Sequence, residues 1–301
     1  MDFADSVGNT PLVSLDVLNP RRESVRLFAK AEMFNPSGSV KDRAACAMVL
    51  DGLKTGKLTK DKILIDATSG NTGIAYAMFG AIYGFRVALV IPENVSPLRK
   101  MLMRAYGAEI IESSALEGSD GAYFKAQEIV KSNPEKYFYP DQYNNNANWK
   151  AHYNGTAQEI WEQTEGKITH FITGGGTTGT FTGTSRRLKE LNPAIHTYLM
   201  QPDSAFHGIE GNKHLDTTEK PGIFDSALAE KIVRVSTEKA YEMTHRLSRE
   251  AGILAGISSG ANVLAALEVV KEASAGAVVV TVLCDAGYRY LDEPIWEDFL
   301  C

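Results

Sequence analysis

Short apolar runs alternate with helical patterns along most of the chain, and this alternation constrains the fold more than any other feature. Apolar strands are predicted at Ile63–Ala67, Arg86–Ile91 and Ala108–Glu112, and a helical pattern follows each of them. The same order restarts with predicted strands at Thr169–Thr173 and Thr197–Met200. Strand–helix alternation is typical of parallel sheets with helices on both faces, so the sequence predicts an α/β fold.

The restart of the pattern predicts two lobes, each built on a mainly parallel, twisted sheet. With 301 residues, 44% of them apolar, the chain is long enough to fill more than one core. The polar segment 143–149 separates the two series and marks the predicted boundary. A ligand would then bind between the lobes, at the carboxyl ends of the strands.

Charge and cysteine content exclude several classes of partner. The net charge is -6 and no basic run is present, so nucleic acid and anionic membrane surfaces are poor partners. No apolar run approaches the length of a membrane span, and the acidic start lacks the features of a signal peptide. Cys46, Cys284 and Cys301 are widely separated, which gives neither a metal-ligand spacing nor a disulfide framework. These features predict a cytoplasmic protein without a bound metal.

One lysine, Lys41, lies in the turn-rich segment 35–43, at the start of a helical pattern. Pro36 and Gly38 favour a turn before that helix. The positive end of a helix disfavours a second positive charge, which suits a lysine that has to act as a free amine, as a Schiff-base lysine does. A surface lysine after a turn explains this segment equally well, so the other motifs have to decide.

Two glycine-rich loops follow predicted strands and open helices. The first, residues 68–73, offers backbone N–H groups and hydroxyls that could hold a carboxylate at a helix N-terminus. The second, residues 174–180, has the composition of a phosphate cradle but carries Thr180 where a Walker A loop needs lysine. It also matches G-x-G-x-x-G, and Asp203 follows the next strand, so a dinucleotide remains an alternative to a phosphate monoester.

Two further segments complete a candidate site. Residues 256–260 are predicted as a loop in which one of Ser258 and Ser259 caps a helix and the other faces a ligand. Cys284, after the last strand, is interpreted as a buried thiol rather than a nucleophile. A lysine, a phosphate cradle, a carboxylate cradle and a polar turn together match what pyridoxal phosphate requires. A dinucleotide would leave Lys41 and the first loop unused.

Ordered motifs across nearly the whole chain resemble the cysteine synthase (O-acetylserine sulfhydrylase) family of pyridoxal-phosphate enzymes, which has the tryptophan-synthase-β-like fold type II. The motifs that carry this resemblance are Gly8–Val13, Pro36–Arg43, Ala67–Gly73, Arg104–Glu109, Gly256–Ala261 and Arg289–Leu291. Residues 176–180, Cys284-Asp285 and residues 221–224 are similar to the B-type enzymes in particular. Residues 156–159, Thr-Ala-Gln-Glu, depart from the family's usual Thr-Gly-Pro-Glu, which leaves the local backbone open.

The resemblance implies a role for each candidate residue. Lys41 would form the Schiff base and then act as general base, and Asn71 would hydrogen-bond the cofactor's ring hydroxyl. Ser258 would face the ring nitrogen. The phosphate would be held by Gly176, Thr177, Thr178, Gly179 and Thr180. The substrate carboxylate would be held by Thr68, Ser69, Thr72 and Gln142.

The resemblance also implies an architecture and an activity. Residues 35–145 would form a smaller, mobile lobe, and residues 1–34 with 146–301 a larger lobe that carries the phosphate cradle. The chain would form a homodimer. It would make L-cysteine from O-acetyl-L-serine and sulfide, or thiosulfate or another sulfur donor, by β-replacement through an aminoacrylate intermediate.

Other activities remain alternatives at this stage. Within the family these are a cystathionine or lanthionine β-synthase and an O-phosphoserine-dependent cysteine synthase. Outside it are an NAD-dependent oxidoreductase and a catalytically silent cofactor-binding scaffold. The polar segment 203–222 contains Lys213 and His214, either of which could meet the donor's leaving group, although a solvated loop explains them equally well.

Overall fold

The computed structural model describes residues 3–68 and 70–299, so the predictions made for Ser69 and Cys301 lie outside the described residues. The strands are β1 (Leu12–Ser14), β2 (Arg26–Ala31), β3 (Ile63–Ala67), β4 (Arg86–Pro92), β5 (Glu109–Ser113), β6 (Tyr137–Phe138), β7 (His170–Gly174), β8 (His196–Pro202), β9 (Lys231–Val235) and β10 (Val278–Leu283). The helices are α1 (Lys41–Lys54), α2 (Asn71–Tyr83), α3 (Pro97–Ala105), α4 (Gly118–Ser132), α5 (Asn146–Ala151), α6 (Ala157–Gln163), α7 (Gly179–Leu191), α8 (Thr237–Ala251) and α9 (Ile257–Glu272).

Two separate sheets form the framework of the molecule. One has six strands in the order β1-β2-β10-β7-β8-β9 and the other has four in the order β5-β4-β3-β6. All pairings are parallel except that of β1 with β2. The smaller sheet comes from residues between 63 and 138 and the larger one from residues on either side of that range. The proposed lobe boundaries themselves stay a prediction.

Helices cover both faces of each sheet, which confirms the predicted α/β fold. In the smaller sheet, Leu64 packs with α1 and α2, whereas its neighbour Ile65 packs with α4 on the opposite face. In the larger sheet, Val279 packs with α8 and α9, whereas Val280 packs with α6 and α7. Strands with apolar residues on both faces read as continuous apolar runs, which is why their positions could be predicted.

The structure corrects the prediction of a loop at residues 256–260. Helix α9 begins at Ile257, so Ser258, Ser259 and Gly260 form its first turn rather than a connection. A Cβ at Gly260 would lie 2.1 Å from Thr244 Oγ1 on α8, so glycine allows the two helices to pack closely. The run of small polar residues that indicated a loop therefore reflects tight helix packing.

The segment around residue 156 is helical without interruption. A π-helical turn, His152–Thr156, follows α5 directly and continues into α6. Residues 157 and 158 of this chain are Ala and Gln, where the family's usual pattern has Gly and Pro. Because Pro is disfavoured inside a helix, this departure is compatible with the uninterrupted helix. Across residues 3–68 and 70–299, none of the helices combines the length and apolar character that crossing a bilayer requires.

Candidate active site

Lys41 lies beside the carboxyl end of β10. The Val40 N–H donates to the Cys284 carbonyl oxygen at 2.8 Å, and Ser39 forms an isolated β-bridge with Asp285. These contacts fix the first turn of α1 against the end of the central strand. The Lys41 side chain lines one cavity together with the predicted cofactor-binding residues Asn71, Gly176, Thr177, Thr178, Thr180 and Ser258.

The glycine-rich loop between β7 and α7 lines this cavity, and two of its glycines pack closely against neighbouring segments. A Cβ at Gly176 would lie 2.1 Å from the Gly211 carbonyl oxygen, and one at Gly179 would lie 1.9 Å from Asn148 Oδ1. Thr178 adopts a left-handed backbone with φ of 66°. Its buried hydroxyl has no hydrogen-bond partner among the described residues. The loop thus presents a buried polar group that an anion at the start of α7 would satisfy.

Asn71 is held by residues that follow β10, a role that the sequence did not reveal. Its Nδ2 donates to Asp285 Oδ2 at 2.6 Å, and its Oδ1 accepts from Arg289. Asp285 and Arg289 are buried, and Tyr290 also donates to Asp285 Oδ2. Asp285 Oδ1 is buried without a partner in the part of the chain that the structure describes. The available signal in the sequence was a pair of charged residues, Asp285 and Arg289, shortly after an apolar strand.

Three of the four residues predicted to hold a carboxylate lie together. The Thr68 hydroxyl oxygen accepts from the N–H groups of Gly70 at 3.1 Å and Gly73 at 3.2 Å. Thr72 Oγ1 donates to Gln142 Oε1 at 3.0 Å. Thr68, Thr72 and Gln142 line a second cavity that also contains Lys41. The structure therefore brings these side chains next to the lysine.

Ser258 and Cys284 lie side by side in the Lys41 cavity. Burial raises the pKa of the Cys284 thiol to about 11, with nearby Lys41 opposing the rise, so the thiol stays protonated near neutral pH. Asn262 Nδ2 contacts its sulfur at 3.3 Å. Cys284 is half-buried rather than buried as predicted, because it lines the cavity, while its raised pKa agrees with the interpretation that it is not a nucleophile.

Lys213 reaches the mouth of the second cavity, and His214 does not line it. Lys213 Nζ lies 2.8 Å from Asp120 Oδ1 and 4.7 Å from the centroid of the Tyr143 ring. His214 instead contacts Thr217 Oγ1 through its Nδ1. The polar segment 203–222 therefore contributes one basic group, Lys213, to the site, and the Asp120 carboxylate compensates its charge.

Arg99, on α3 of the smaller sheet's layer, is linked to Glu210 in the polar segment 203–222 and to Glu293 after β10. It forms ion pairs with Glu210 and Glu293, and its guanidinium lies 5.1 Å from the centroid of the Tyr290 ring. Burial raises the pKa of Glu210, although Arg99 opposes this. Arg99 could not be predicted as a site residue, because its partners are more than 100 residues away in the chain.

Comparison with known proteins identifies the family. A model described as "Pyridoxal-phosphate dependent enzyme" matches residues 3–285. The chain is 50% identical over 297 residues to "Cysteine synthase" of Aquifex aeolicus (strain VF5), covering 97% of this chain and 91% of that protein. This chain belongs to the cysteine synthase family of pyridoxal-phosphate-dependent enzymes.

Two further family members agree with the B-type resemblance and with the fold. "Cysteine synthase B" of Escherichia coli (strain K12) is 42% identical, with 97% of this chain and 95% of that protein covered. A crystal structure of cysteine synthase from Entamoeba histolytica has a TM-score of 0.92 at 34% identity, covering 98% of this chain and 90% of that one. These similarities confirm the cysteine synthase resemblance and its fold type.

The residues around Lys41 fit the pyridoxal phosphate that cysteine synthases use. The buried, unpartnered Thr178 hydroxyl and the close-packed Gly176 and Gly179 suit a phosphate group. Lys41 and Ser258 line the same cavity, where Lys41 would offer an amine to the aldehyde and Ser258 a hydroxyl to the ring. Within the described residues there is no cluster of His, Cys, Asp and Glu side chains that could hold a metal ion.

Replacing Gly176 with alanine is expected to weaken cofactor binding about tenfold or more. The new Cβ would meet the Gly211 carbonyl oxygen at 2.1 Å, and a backbone group has to move to accommodate it. Such overpacking typically costs ~1–3 kcal/mol. The measurement is titration of the apoprotein with pyridoxal phosphate, followed by visible absorbance.

Gly175→Ala in the same loop is the matched control. Its Cβ would meet side-chain methyl groups at 3.2 and 3.4 Å, which can adjust more easily than backbone. We therefore expect a smaller loss of affinity for Gly175→Ala than for Gly176→Ala. Equal affinities for the two variants would show that close approach at Gly176 does not shape the cradle.

Proposed function

We propose that this protein synthesises L-cysteine from O-acetyl-L-serine and sulfide by a pyridoxal-phosphate-dependent β-replacement. The observation that carries the proposal is the convergence of Lys41, Asn71, the loop of residues 174–180 and Ser258 on one cavity. That combination meets each requirement of the cofactor. A dinucleotide would use only the loop, so we do not favour an oxidoreductase.

In the proposed reaction, separate side chains of this protein bind the substrate, hold the cofactor and transfer the proton. Thr68, Thr72 and Gln142 hold the substrate carboxylate, and Asn71 and Ser258 hold the cofactor ring. The bound cofactor supplies the electron sink that makes the α-proton of the amino acid acidic. The Lys41 amine removes that proton and later returns it, because it lines both cavities and can reach either side of the site.

The pairing of Lys213 with Asp120 supports an uncharged acyl donor over a phosphorylated one. Their separation of 2.8 Å leaves little net positive charge at the mouth of the cavity. A dianionic phosphate leaving group requires uncompensated basic groups or several N–H donors. An acetyl ester requires neither, so we propose O-acetylserine as the donor and keep O-phosphoserine as the alternative.

The proposed activity can be tested directly with purified holoenzyme. O-acetylserine, O-phosphoserine, serine and cysteine are each combined with sulfide, thiosulfate or homocysteine, and the amino-acid product is identified by mass. We expect the highest kcat/KM for L-cysteine formation from O-acetylserine and sulfide. Faster formation of cystathionine or lanthionine than of cysteine would refute the proposal in favour of a thioether synthase.

Replacing Lys213 with alanine is expected to lower the kcat/KM ratio of O-phosphoserine to O-acetylserine about tenfold, equivalent to roughly 1.4 kcal/mol. The substitution leaves Asp120 uncompensated at the cavity mouth, which repels a phosphorylated donor more than a neutral ester. The exposed Lys239, at the start of α8, does not line the cavity and provides a control in which the same charge is removed. An unchanged ratio in Lys213→Ala would exclude Lys213 from donor selection.

We also propose that the enzyme is a cytoplasmic homodimer. The absence of metal or disulfide spacing in the sequence supports a reducing compartment, and the family resemblance supports the dimer. Phe34 and Tyr288 expose 66% and 50% of their surface, which offers apolar area for self-association. Light scattering on the holoenzyme tests the dimer, and a mass equal to one chain at all concentrations would refute it.

A further inference from the structure

Glu210 brings a carboxylate into the space around Lys41. It lines two of the cavities that Lys41 also lines, one of them together with Ser258 and the other together with Thr68. The steps derived above for the proposed reaction do not use this group. A fixed charge in a cleft attracts or repels every charged molecule that enters, so Glu210 bears on which substrates the site accepts.

Contacts on both sides hold the segment that carries Glu210. Its neighbour Ile209 is fully buried in the core of the larger sheet. On the other side, the Lys213 N–H donates to the Gly175 carbonyl oxygen at 2.9 Å, which ties the segment to the loop of residues 174–180. The backbone around Glu210 is therefore fixed between that core and the loop expected to hold the cofactor phosphate.

Arg99 compensates only part of the acidic charge at this place. Its guanidinium donates to both carboxylate oxygens of Glu210, with Nη2 at 3.1 Å from Oε1, and it also pairs with Glu293. One cation thus serves two carboxylates, which leaves one negative charge in excess. The Arg99 side chain is 4% exposed and that of Glu210 is 37% exposed, so an entering molecule meets mainly the carboxylate.

The other basic groups around Lys41 are compensated as well. In the described part of the chain, the three cavities that Lys41 lines contain two further basic side chains, Lys213 and Arg99. Lys213 Nζ pairs with Asp120 Oδ1 at 2.8 Å. Lys41 itself serves the cofactor aldehyde and the α-proton in the proposed reaction. A dianion that approaches the β-carbon of the donor would therefore find no cation left to bind it.

Sulfide and thiosulfate differ in charge, although the same bonds change in both reactions. A C–S bond forms at the β-carbon, the C–O bond to acetate breaks, and acetate leaves with the electron pair. Sulfide then gives cysteine and thiosulfate gives S-sulfocysteine. Near neutral pH, sulfide is a mixture of the neutral form and a monoanion, whereas thiosulfate is a dianion. A carboxylate repels a dianion more strongly, because the Coulomb energy scales with the product of the charges.

We propose that Glu210 is a specificity-determining residue that selects sulfide over dianionic sulfur donors such as thiosulfate. The carboxylate acts through its charge on the entering nucleophile and not as an acid or base in the reaction. This inference rests on the proposed β-replacement at Lys41 and adds to it the class of sulfur nucleophile, which is small and carries at most one negative charge.

Glu210→Gln removes the charge with little change of shape and retains a carbonyl oxygen that can accept from Arg99. Holoenzyme of the unmodified chain and of the variant is assayed with O-acetylserine and either sulfide or thiosulfate. Cysteine and S-sulfocysteine are identified by mass. We expect the kcat/KM ratio of thiosulfate to sulfide to rise about tenfold or more in Glu210→Gln. An unchanged ratio would overturn the proposal.

Glu293→Gln is the matched control, because it separates the charge in the cavity from the ion pairs of Arg99. Glu293 shares the Arg99 guanidinium but is not among the described residues that line the three cavities around Lys41. We expect the ratio to rise less than about threefold in Glu293→Gln, since its charge lies farther from the entering nucleophile. An equal rise in the two variants would show that the effect comes through Arg99 and would refute the role of Glu210.

A measurement on the unmodified holoenzyme does not depend on any variant folding. A higher ionic strength screens the carboxylate, so kcat/KM for thiosulfate should rise more than kcat/KM for sulfide. A fall for thiosulfate would reveal attraction to a cationic group and contradict the proposal. Formation of S-sulfocysteine as fast as cysteine would overturn the proposal and leave the β-replacement intact. Absence of both products would instead refute the proposed function.

Discussion

Lys41→Ala is expected to abolish cysteine formation, with a loss in kcat larger than the ~10²–10⁴ that removal of an acid–base group alone typically causes. The substitution removes the amine that we propose holds the cofactor aldehyde and, at the same time, the proposed base for the α-proton. Among the described residues, no hydrogen-bond or ion-pair partner of the Lys41 amine is found, so it is free for both tasks. The measurement is steady-state cysteine formation by the purified variant.

Lys54, an exposed lysine in the last turn of the same helix, provides the control. Lys54→Ala removes the same side chain from α1 and should leave both turnover and cofactor absorbance unchanged. Turnover by Lys41→Ala at the rate of the unmodified enzyme would overturn the whole assignment. Partial recovery of activity with added small primary amines would support the role of the missing ε-amine.

The sequence predicted those parts of the fold that depend on local pattern. Strand β3 and helix α8 occupy the predicted ranges, because β3 is a mostly apolar run buried on both faces and α8 buries one side of the helix at a regular spacing. The loops at residues 68–73 and 174–180 could be predicted as site elements because they follow such strands. Parallel strands place the loops at their carboxyl ends on one edge of each sheet, so the position of a loop after a strand was enough to predict it as a site element. That the loops after β3 and β7, which belong to different sheets, share one site follows from the packing of the two sheets and not from the pattern.

The remaining parts depend on partners that are distant in the chain. Strand β2 contains Arg26 and Lys30, so it lacks a continuous apolar pattern, and Lys30 is fully buried only because Glu159 pairs with it. The contacts of Asn71 with Asp285 span 214 positions. Local pattern carries no information about such pairs, which explains why the residues that support the site were missed.

Arg43, on the same helix as Lys41, is the centre of a buried ionic cluster. Its guanidinium lies 2.6 Å from Glu32 Oε2 and 2.7 Å from Glu159 Oε1, and its side chain is 4% exposed. Glu159 also pairs with Lys30 at 2.6 Å. The cluster joins the end of β2, helix α1 and helix α6, so it fixes the helix that carries Lys41.

Arg43→Met is expected to lower the free energy of unfolding by about 3–5 kcal/mol near neutral pH, because Glu32 is fully buried and would keep an uncompensated charge. Methionine replaces much of the packed volume, so the loss reflects charge rather than a large cavity. The control is Arg246→Met, which breaks an exposed ion pair with Glu250 and should cost about 0.5 kcal/mol or less. Urea unfolding of both variants provides the comparison.

The pH dependence of the loss identifies its cause. In the unmodified chain, burial alone would raise the pKa of Glu32, but Arg43 holds it below its ordinary 4.5, and that of Glu159 at about 2. These groups therefore stabilise the fold above pH 4.5, and this stability is lost as the pH falls towards 2. In Arg43→Met, burial dominates and raises the pKa of Glu32, so protonation relieves the buried charge. The deficit of Arg43→Met should shrink between pH 7 and pH 4, and a deficit that stays constant would indicate lost packing instead.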